Sequence, residues 1–215
     1  YRARRQRQMC IRDSLNTIMQ FISRPSWCLN MMTAKKLNFG NIMGHVTNVT
    51  NLSSLASWTA DQFDPTLTWE DIAWIKDRWK GKLILKGIMD SEDAMLAVKA
   101  GADAIIISNH GGRQLDGAPS TISVLPEIVD AVNSKVEVHF DGGVRSGQDV
   151  LKALALGADC IHIGRPYVYG LGAKGQEGVE IAIEIIKKEL DLTMAMCGET
   201  NICLLYTSPS PRDVI

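Results

Sequence analysis

From Lys82 onward the chain alternates short apolar runs with longer amphipathic ones. Lys82–Lys86, Ala104–Ser108, Val136–Phe140 and Cys160–Gly164 have the length and content of buried strands. The segments that follow them are Asp90–Ala100, a stretch near Pro126–Asn133, Ser146–Leu156 and Glu177–Leu190. Each of these places apolar residues at helical spacing; Val179, Ile183, Ile186 and Leu190 form one stripe on the last. Strands that alternate with helices predict βαβ units and a parallel sheet. Local chemistry agrees. Asp90 and Ser146 each stand three residues before an acid, Asp93 and Asp149, as a capping box requires. Gly101 and Gly157 fall where helices end in the left-handed conformation. They open two near-identical joints, Gly101-Ala102-Asp103-Ala104-Ile105 and Gly157-Ala158-Asp159-Cys160-Ile161, the signature of a repeated βα unit.

Residues 15–68 have little clear periodicity, and Asn38–Ser57 reads as a polar, glycine-punctuated excursion. The termini differ again. Gln8–Ser14 and Cys203–Ser208 can be encoded by DNA stretches that are reverse complements of one another, the inverted repeat of a transposase end used in sequencing libraries. Residues 1–14 and 203–215 are therefore expected to be translated adapter, with 15–202 as the protein domain, cut at both ends by fragmentation. The whole chain has 23 Lys and Arg against 24 Asp and Glu, a net charge of -1. Without the two ends, which carry six arginines and two aspartates, the balance is 17 against 22, or -5. The arginines of the N-terminus then say nothing about nucleic acid, and the acidic remainder argues against a polyanionic partner. Cys28, Cys160 and Cys197 lie far apart with no Cys-x-x-Cys spacing, so neither a disulfide framework nor a zinc site is expected. No apolar run reaches the roughly 18 residues of a membrane-spanning helix.

Polar residues gather at the C-terminal ends of the predicted strands, the face that holds the site in a β/α barrel and the binding crevice in an open α/β sheet. Asp141-Gly142-Gly143 with Arg145, and Gly164-Arg165 with Pro166, form two Gly/Arg loops on successive strands. Glycine lets backbone N–H groups approach an anion, and arginine offers a planar fork of donors, so the pair predicts a phosphate site. Ser108, Asn109 and His110 end the second strand, and His110 shares the parity of Ser108 and Ile106, which points all three inward. A histidine there serves as a base near neutral pH, and Arg113, three residues on, can clamp a carboxylate. Lys86 supplies a fixed positive charge for an anionic reduced cofactor. His139 and His162 read as satisfied core histidines, and His45 as a solvated one.

The run Ser108-Asn109-His110-Gly111-Gly112-Arg113-Gln114-Leu115-Asp116 resembles the signature of the FMN-dependent α-hydroxy-acid dehydrogenase and oxidase family. Ile84-Leu85-Lys86-Gly87-Ile88, Asp141-Gly142-Gly143-Val144-Arg145-Ser146-Gly147 and Ile163-Gly164-Arg165-Pro166 match its other motifs in order and spacing, and the likeness covers nearly all of 24–202. The details around Asn38–Asn51 and Gln62-Phe63-Asp64-Pro65 are most similar to the bacterial respiratory L-lactate dehydrogenase branch. The resemblance implies the last four strands of a TIM (β/α)8 barrel, and oxidation of a small L-2-hydroxy acid, L-lactate to pyruvate, with reduction of FMN. It implies His110 as active-site base and Arg113 on the substrate carboxylate. Lys86 is then placed near the flavin N1–O2 edge, Ser108 beside the flavin and Asp141 on the ribityl chain. Gly142, Gly143, Arg145, Gly164 and Arg165 are left to surround the phosphate. His110 takes a proton from C2 in a carbanion route, or from the hydroxyl during hydride transfer. The electron acceptor is a quinone, a cytochrome or oxygen. The parent is expected to be homo-oligomeric, cytoplasmic and peripherally associated with the inner face of the cell membrane. Two alternatives remain open: another FMN or phosphate-binding barrel enzyme, which shares the Gly/Arg loops but does not need the His-Gly-Gly-Arg motif, and a fragment inactive alone.

Overall fold

The computed structural model describes residues 15–34, 52–62, 64 and 66–202. Both terminal stretches assigned to adapter, and residues 38–51 of the polar excursion, lie outside the described residues. The chain divides into two compact units, residues 1–66 and 67–215. In the first, helices α1 (Leu15–Ile22), α2 (Pro25–Thr33) and α3 (Leu52–Asp61) are described. Phe21 and Trp27 stack between α1 and α2 with ring centroids 5.8 Å apart. The excursion thus ends in helix from Leu52 on, although its Ser- and Thr-rich sequence reads as loop.

The second unit carries the predicted alternation. Its elements run α4 (Trp69–Arg78), β1 (Ile84–Ile88), α5 (Ser91–Lys99), β2 (Ala104–Ile107), a 3-10 turn (His110–Gly112), α6 (Thr121–Val132), β3 (Glu137–Phe140), α7 (Gly147–Ala155), β4 (Cys160–Ile161), α8 (Arg165–Lys174) and α9 (Gln176–Met196). The four strands pair in parallel in the order β1-β2-β3-β4. Sequential parallel neighbours, each joined by a helix, are the expected half-barrel arrangement. Strand alternation sorts the residues. Ile105, Ile107, Val138 and Phe140 are buried against Ala94, Ala97, Leu125, Ile128, Val132, Val150 and Ala153 from α5, α6 and α7, with Ile186 of α9. Lys86, Ile106, His139 and Cys160 stand in register on the opposite, inner face.

The two echoing joints do the same work. In each, the Asp backbone N–H donates to a carbonyl at the start of the preceding strand segment and its carboxylate accepts that residue's N–H: Asp103 with Leu83, just before β1, and Asp159 with Val138 of β3. Asp103 also accepts from the ammonium groups of Lys76 and Lys82. The Lys76 bond, the Leu83 N–H and Lys82 together hold its carboxyl well below the usual carboxylate range. Gly101 and Gly157 have the expected positive φ of 84° and 99°. Ser146 and Asp149 form the complete capping box; Asp90 instead caps α5 alone, its side chain accepting from the N–H of Glu92 and not of Asp93.

Several expectations are corrected. β1 begins two residues later than Lys82 and runs on to Ile88, and β4 is only two residues long. Helix α6 begins at Thr121, five residues before the expected start near Pro126, and continues through that proline. Proline costs one backbone bond here, but buried Leu125, Ile128 and Val132 hold the helix on the sheet. Helices α4 and α8 have no counterpart among the predicted elements. The pattern of α8 is masked by Gly170 and Gly172, which read as breakers; Gly170 instead lets α8 and α9 approach until their backbones touch at Gly178. On α9, Ile186 is buried while Ile183 of the same stripe is exposed.

Candidate functional site

β1, β2 and β3 deliver one residue each to a single hydrogen-bonded hub. Lys86 Nζ donates to Ser108 Oγ at 2.6 Å and lies 2.8 Å from Asp141 Oδ2. Ser108 Oγ donates to Asp141 Oδ1 at 2.6 Å and accepts the backbone N–H of His110 at 3.1 Å. Lys86 is aimed by a bulge: Gly87, at φ 102°, is the extra residue between the pairs Lys86↔Ile106 and Ile88↔Ile107. Ser108 is buried to 3% exposure, so its three bonds are made away from water.

His110 does not owe its place to strand alternation, because β2 ends at Ile107. It opens the 3-10 turn in a left-handed conformation, φ 56°, one of three non-glycine residues with positive φ among those described. Such a backbone is strained for histidine and persists only where neighbours hold it. The Ser108 hydroxyl holds its N–H, and Asn109 completes the frame by accepting Gly112 N–H and donating to Pro119 O. Arg113 closes the turn with its N–H on His110 O.

The two Gly/Arg loops lie beside this turn. Gly142 and Gly143 follow β3 with φ of 106° and 78°. A Cβ on Gly142 would meet Thr121 Oγ1 at 2.8 Å, so glycine is required for the loop to pass the start of α6. Asp149 fixes the next residues by accepting the N–H groups of Arg145 and Ser146 and the Ser146 hydroxyl. Burial alone would raise the Asp149 carboxyl, but these bonds and the charge of Lys152 hold it below its ordinary value. Gly164 caps α8, whose first turn contains Arg165 and Pro166. The Arg165 guanidinium donates to Gly111 O at 2.9 Å, so this arginine ties the second Gly/Arg loop to the His110 turn as well as facing the cavity.

Lys86, His110, Arg113, Asp141, Gly142, Gly143, Arg145, Gly164 and Arg165 all line one cavity of about 540 Å³. Ser108 lies beneath it. The structure therefore brings together every residue that the sequence assigned to the site. Two contributors were missed. Thr121 acts through a bond to Gly142 O that no spacing announces, while Asn109, already among the polar residues at the strand end, frames the His110 turn. His162 lines the cavity and is exposed, contrary to its reading as a core histidine; His139 is buried as expected. Partial burial and the neighbouring His139 lower the His162 pKa, against the pull of Asp141. Four cationic side chains and one carboxylate, with open space where side chains on Gly143 and Gly164 would stand, fit a phosphate-bearing cofactor.

Comparison with known proteins agrees with this geometry. The chain is 42% identical over 193 residues to an L-lactate dehydrogenase of Vibrio cholerae serotype O1, covering 89% of this chain and 51% of that protein. It is 45% identical over 186 residues to an L-lactate dehydrogenase of Pseudomonas syringae pv. syringae, covering 86% and 49%. The chain thus spans about half the length of these relatives. Among solved structures, mandelate oxidase with (S)-4-hydroxymandelic acid superposes with a TM-score of 0.67 at 45% identity, covering 72% of this chain and 43% of that one. A mandelate oxidase variant with a monooxide FMN adduct gives 0.64 at 46% identity, covering 67% and 46%. The FMN-dependent dehydrogenase family matches over residues 1–208, and with that span and these identities the chain belongs to the FMN-dependent dehydrogenase family.

Proposed function

We propose that this chain forms the FMN phosphate site, the flavin-facing charge and the acid–base centre of an enzyme that oxidises L-lactate to pyruvate. The observation that carries the reading is the meeting of Lys86, Ser108 and Asp141 beside the His110–Arg113 turn, in one cavity with both Gly/Arg loops. FMN, when bound, takes up the two electrons released as the 2-hydroxy acid becomes the 2-oxo acid. Arg145 and Arg165, with the N–H groups around Gly143 and at the start of α8, hold the phosphate. Arg113 forks onto the substrate carboxylate. His110 accepts the proton that leaves the substrate and passes it on to solvent. Lys86, already paired with Asp141, places positive charge where the reduced cofactor is anionic. The choice of L-lactate rests on the two bacterial relatives; the acceptor is a quinone, a cytochrome or oxygen, reached at the inner face of the cell membrane.

The test uses a chain that carries this segment together with the remaining length of its relatives. Anaerobic stopped-flow mixing with L-lactate follows flavin absorbance in the parent, His110→Gln and Arg113→Lys. His110→Gln is expected to keep its flavin and reduce it about 10²–10⁴-fold more slowly, the usual cost of losing a general base. Arg113→Lys replaces a fork by a point charge and is expected to weaken L-lactate binding as well as slow reduction. Parent-like reduction by His110→Gln would leave the mechanism without its base, and faster reduction by L-mandelate than by L-lactate would reassign the substrate.

A further inference from the structure

Below the Lys86–Asp141 pair, the inner face of the sheet carries a second polar cluster that the flavin and substrate assignments leave unused. His139 is the register partner of Cys160 across β3 and β4, and alternation returns His162 to the same face two residues later. His139 Nδ1 lies 3.1 Å from His162 Nε2. The ligand atoms of His139, Cys160 and His162 all lie within 4.8 Å of one another. On the far side of the His139 ring, Nε2 lies 3.2 Å from Glu137 Oε2. With the carboxylate accepting, the ring hydrogen sits on Nε2 and the Nδ1 lone pair faces His162.

We propose that His139 Nδ1, His162 Nε2 and the Cys160 thiolate bind a zinc-class divalent ion, with Glu137 orienting His139 from behind. Three protein ligands leave a fourth tetrahedral position for water. Metal–nitrogen bonds of about 2.0–2.1 Å and a metal–sulfur bond of about 2.3 Å separate tetrahedral ligand atoms by roughly 3.3–3.7 Å. The two nitrogens already stand close to that spacing, and the thiol reaches it by a movement of about 1 Å. Two imidazoles and a thiolate favour zinc-like ions over magnesium or calcium, which take oxygen ligands. A carboxylate on the outer nitrogen of a ligating histidine is the common supporting arrangement in such sites. The nearby Lys86 is engaged by Asp141, which limits its repulsion of a cation. The atoms balance simply. Cys160 releases its proton to solvent, the His139–His162 hydrogen bond breaks, and His162 loses its single ring proton from Nε2 and regains one on Nδ1 by exchange with solvent, so its ring stays neutral. No Cys-x-x-Cys spacing announces this site, because its ligands come from two strands and only the register assembles them.

Cobalt(II) is the probe, added to the full chain with Cys10, Cys28, Cys197 and Cys203 each replaced by serine. One cobalt per chain is expected, with visible d–d bands of tetrahedral strength, a sulfur-to-cobalt charge-transfer band in the near ultraviolet, and displacement of both by zinc. Cys160→Ser is expected to abolish the charge-transfer band. His162→Ala, at an exposed position, is expected to weaken binding at least about tenfold, and Glu137→Gln about 10–100-fold with the bands kept in place. Absence of the charge-transfer band in the parent, its survival in Cys160→Ser, or parent-like affinity in His162→Ala would each overturn the site. None of these readouts depends on flavin or on turnover, so the outcome is separate from that of the proposed function.

Discussion

Ser108→Ala removes the hub of the site without touching its charges. The buried hydroxyl accepts from Lys86 and from His110 N–H and donates to Asp141. Its loss leaves the His110 N–H and Asp141 Oδ1 each short of a partner, while Lys86 keeps Asp141 Oδ2 at 2.8 Å. A buried polar group left unsatisfied costs about 1–3 kcal/mol. Asp141 is partly exposed, so water repays much of its share, and the His110 amide dominates. The expected loss of stability is therefore about 1–3 kcal/mol, read as a shift in the urea midpoint at constant slope. The sharper consequence is for rate. His110 holds a left-handed backbone that costs about 1–3 kcal/mol to maintain, and the Ser108 bond is what anchors its N–H. Freed of it, the turn relaxes and the imidazole leaves its working position, so flavin reduction is expected to slow about 10–100-fold, equivalent to about 1.4–2.7 kcal/mol of barrier. Stopped-flow reduction of the complete flavoprotein measures this, and Ser108→Thr, which restores a hydroxyl, is expected to recover most of it. If Ser108→Ala lost the stability but reduced its flavin at the parent rate, the hub would be structural and the strain at His110 irrelevant to catalysis.

Arg145→Ala and Arg165→Ala are both expected to lower flavin content after dialysis, but only Arg165→Ala also slows reduction, because its guanidinium braces Gly111 of the His110 turn; equal effects of the two on rate would contradict that division. Gly147→Ala is expected to destabilise the chain by about 1–3 kcal/mol or more, since an added Cβ collides with the α9 backbone at Glu189 and Leu190 and disturbs the bond from Gly147 N–H to Glu189; an unchanged urea midpoint would show that α7 and α9 do not meet this closely. The coding DNA is expected to carry the transposase-end inverted repeat across the codons for Gln8–Ser14 and Ile202–Ser208, and unrelated codons there would return both ends to the protein.

The sequence by itself determined the βα rhythm, because a strand buried between layers must be apolar and a helix laid on it must be amphipathic, and both demands are written locally. It determined the placement of the candidate site for a similar reason: Lys86, His110, Arg113 and the Gly/Arg loops sit at strand ends, where a parallel sheet collects its functional residues. The Gly-Ala-Asp joints and the Ser146 cap were legible because each is closed by residues a few positions apart or repeated at one spacing. What escaped was set by contacts distant in sequence. Helix α8 has poor helical propensity and forms because Gly170 admits α9 at backbone distance. Helix α6 runs through Pro126 because three buried side chains outweigh one missing hydrogen bond. Strand parity pointed His110 inward, but the strand had already ended, and a left-handed turn anchored by Ser108 and Asn109 decided its position. The Lys86–Ser108–Asp141 hub and the His139–Cys160–His162 cluster depend on the register of separate strands. No local pattern encodes that register; it is the packing of helices on one face of the sheet that chooses which side chains meet on the other.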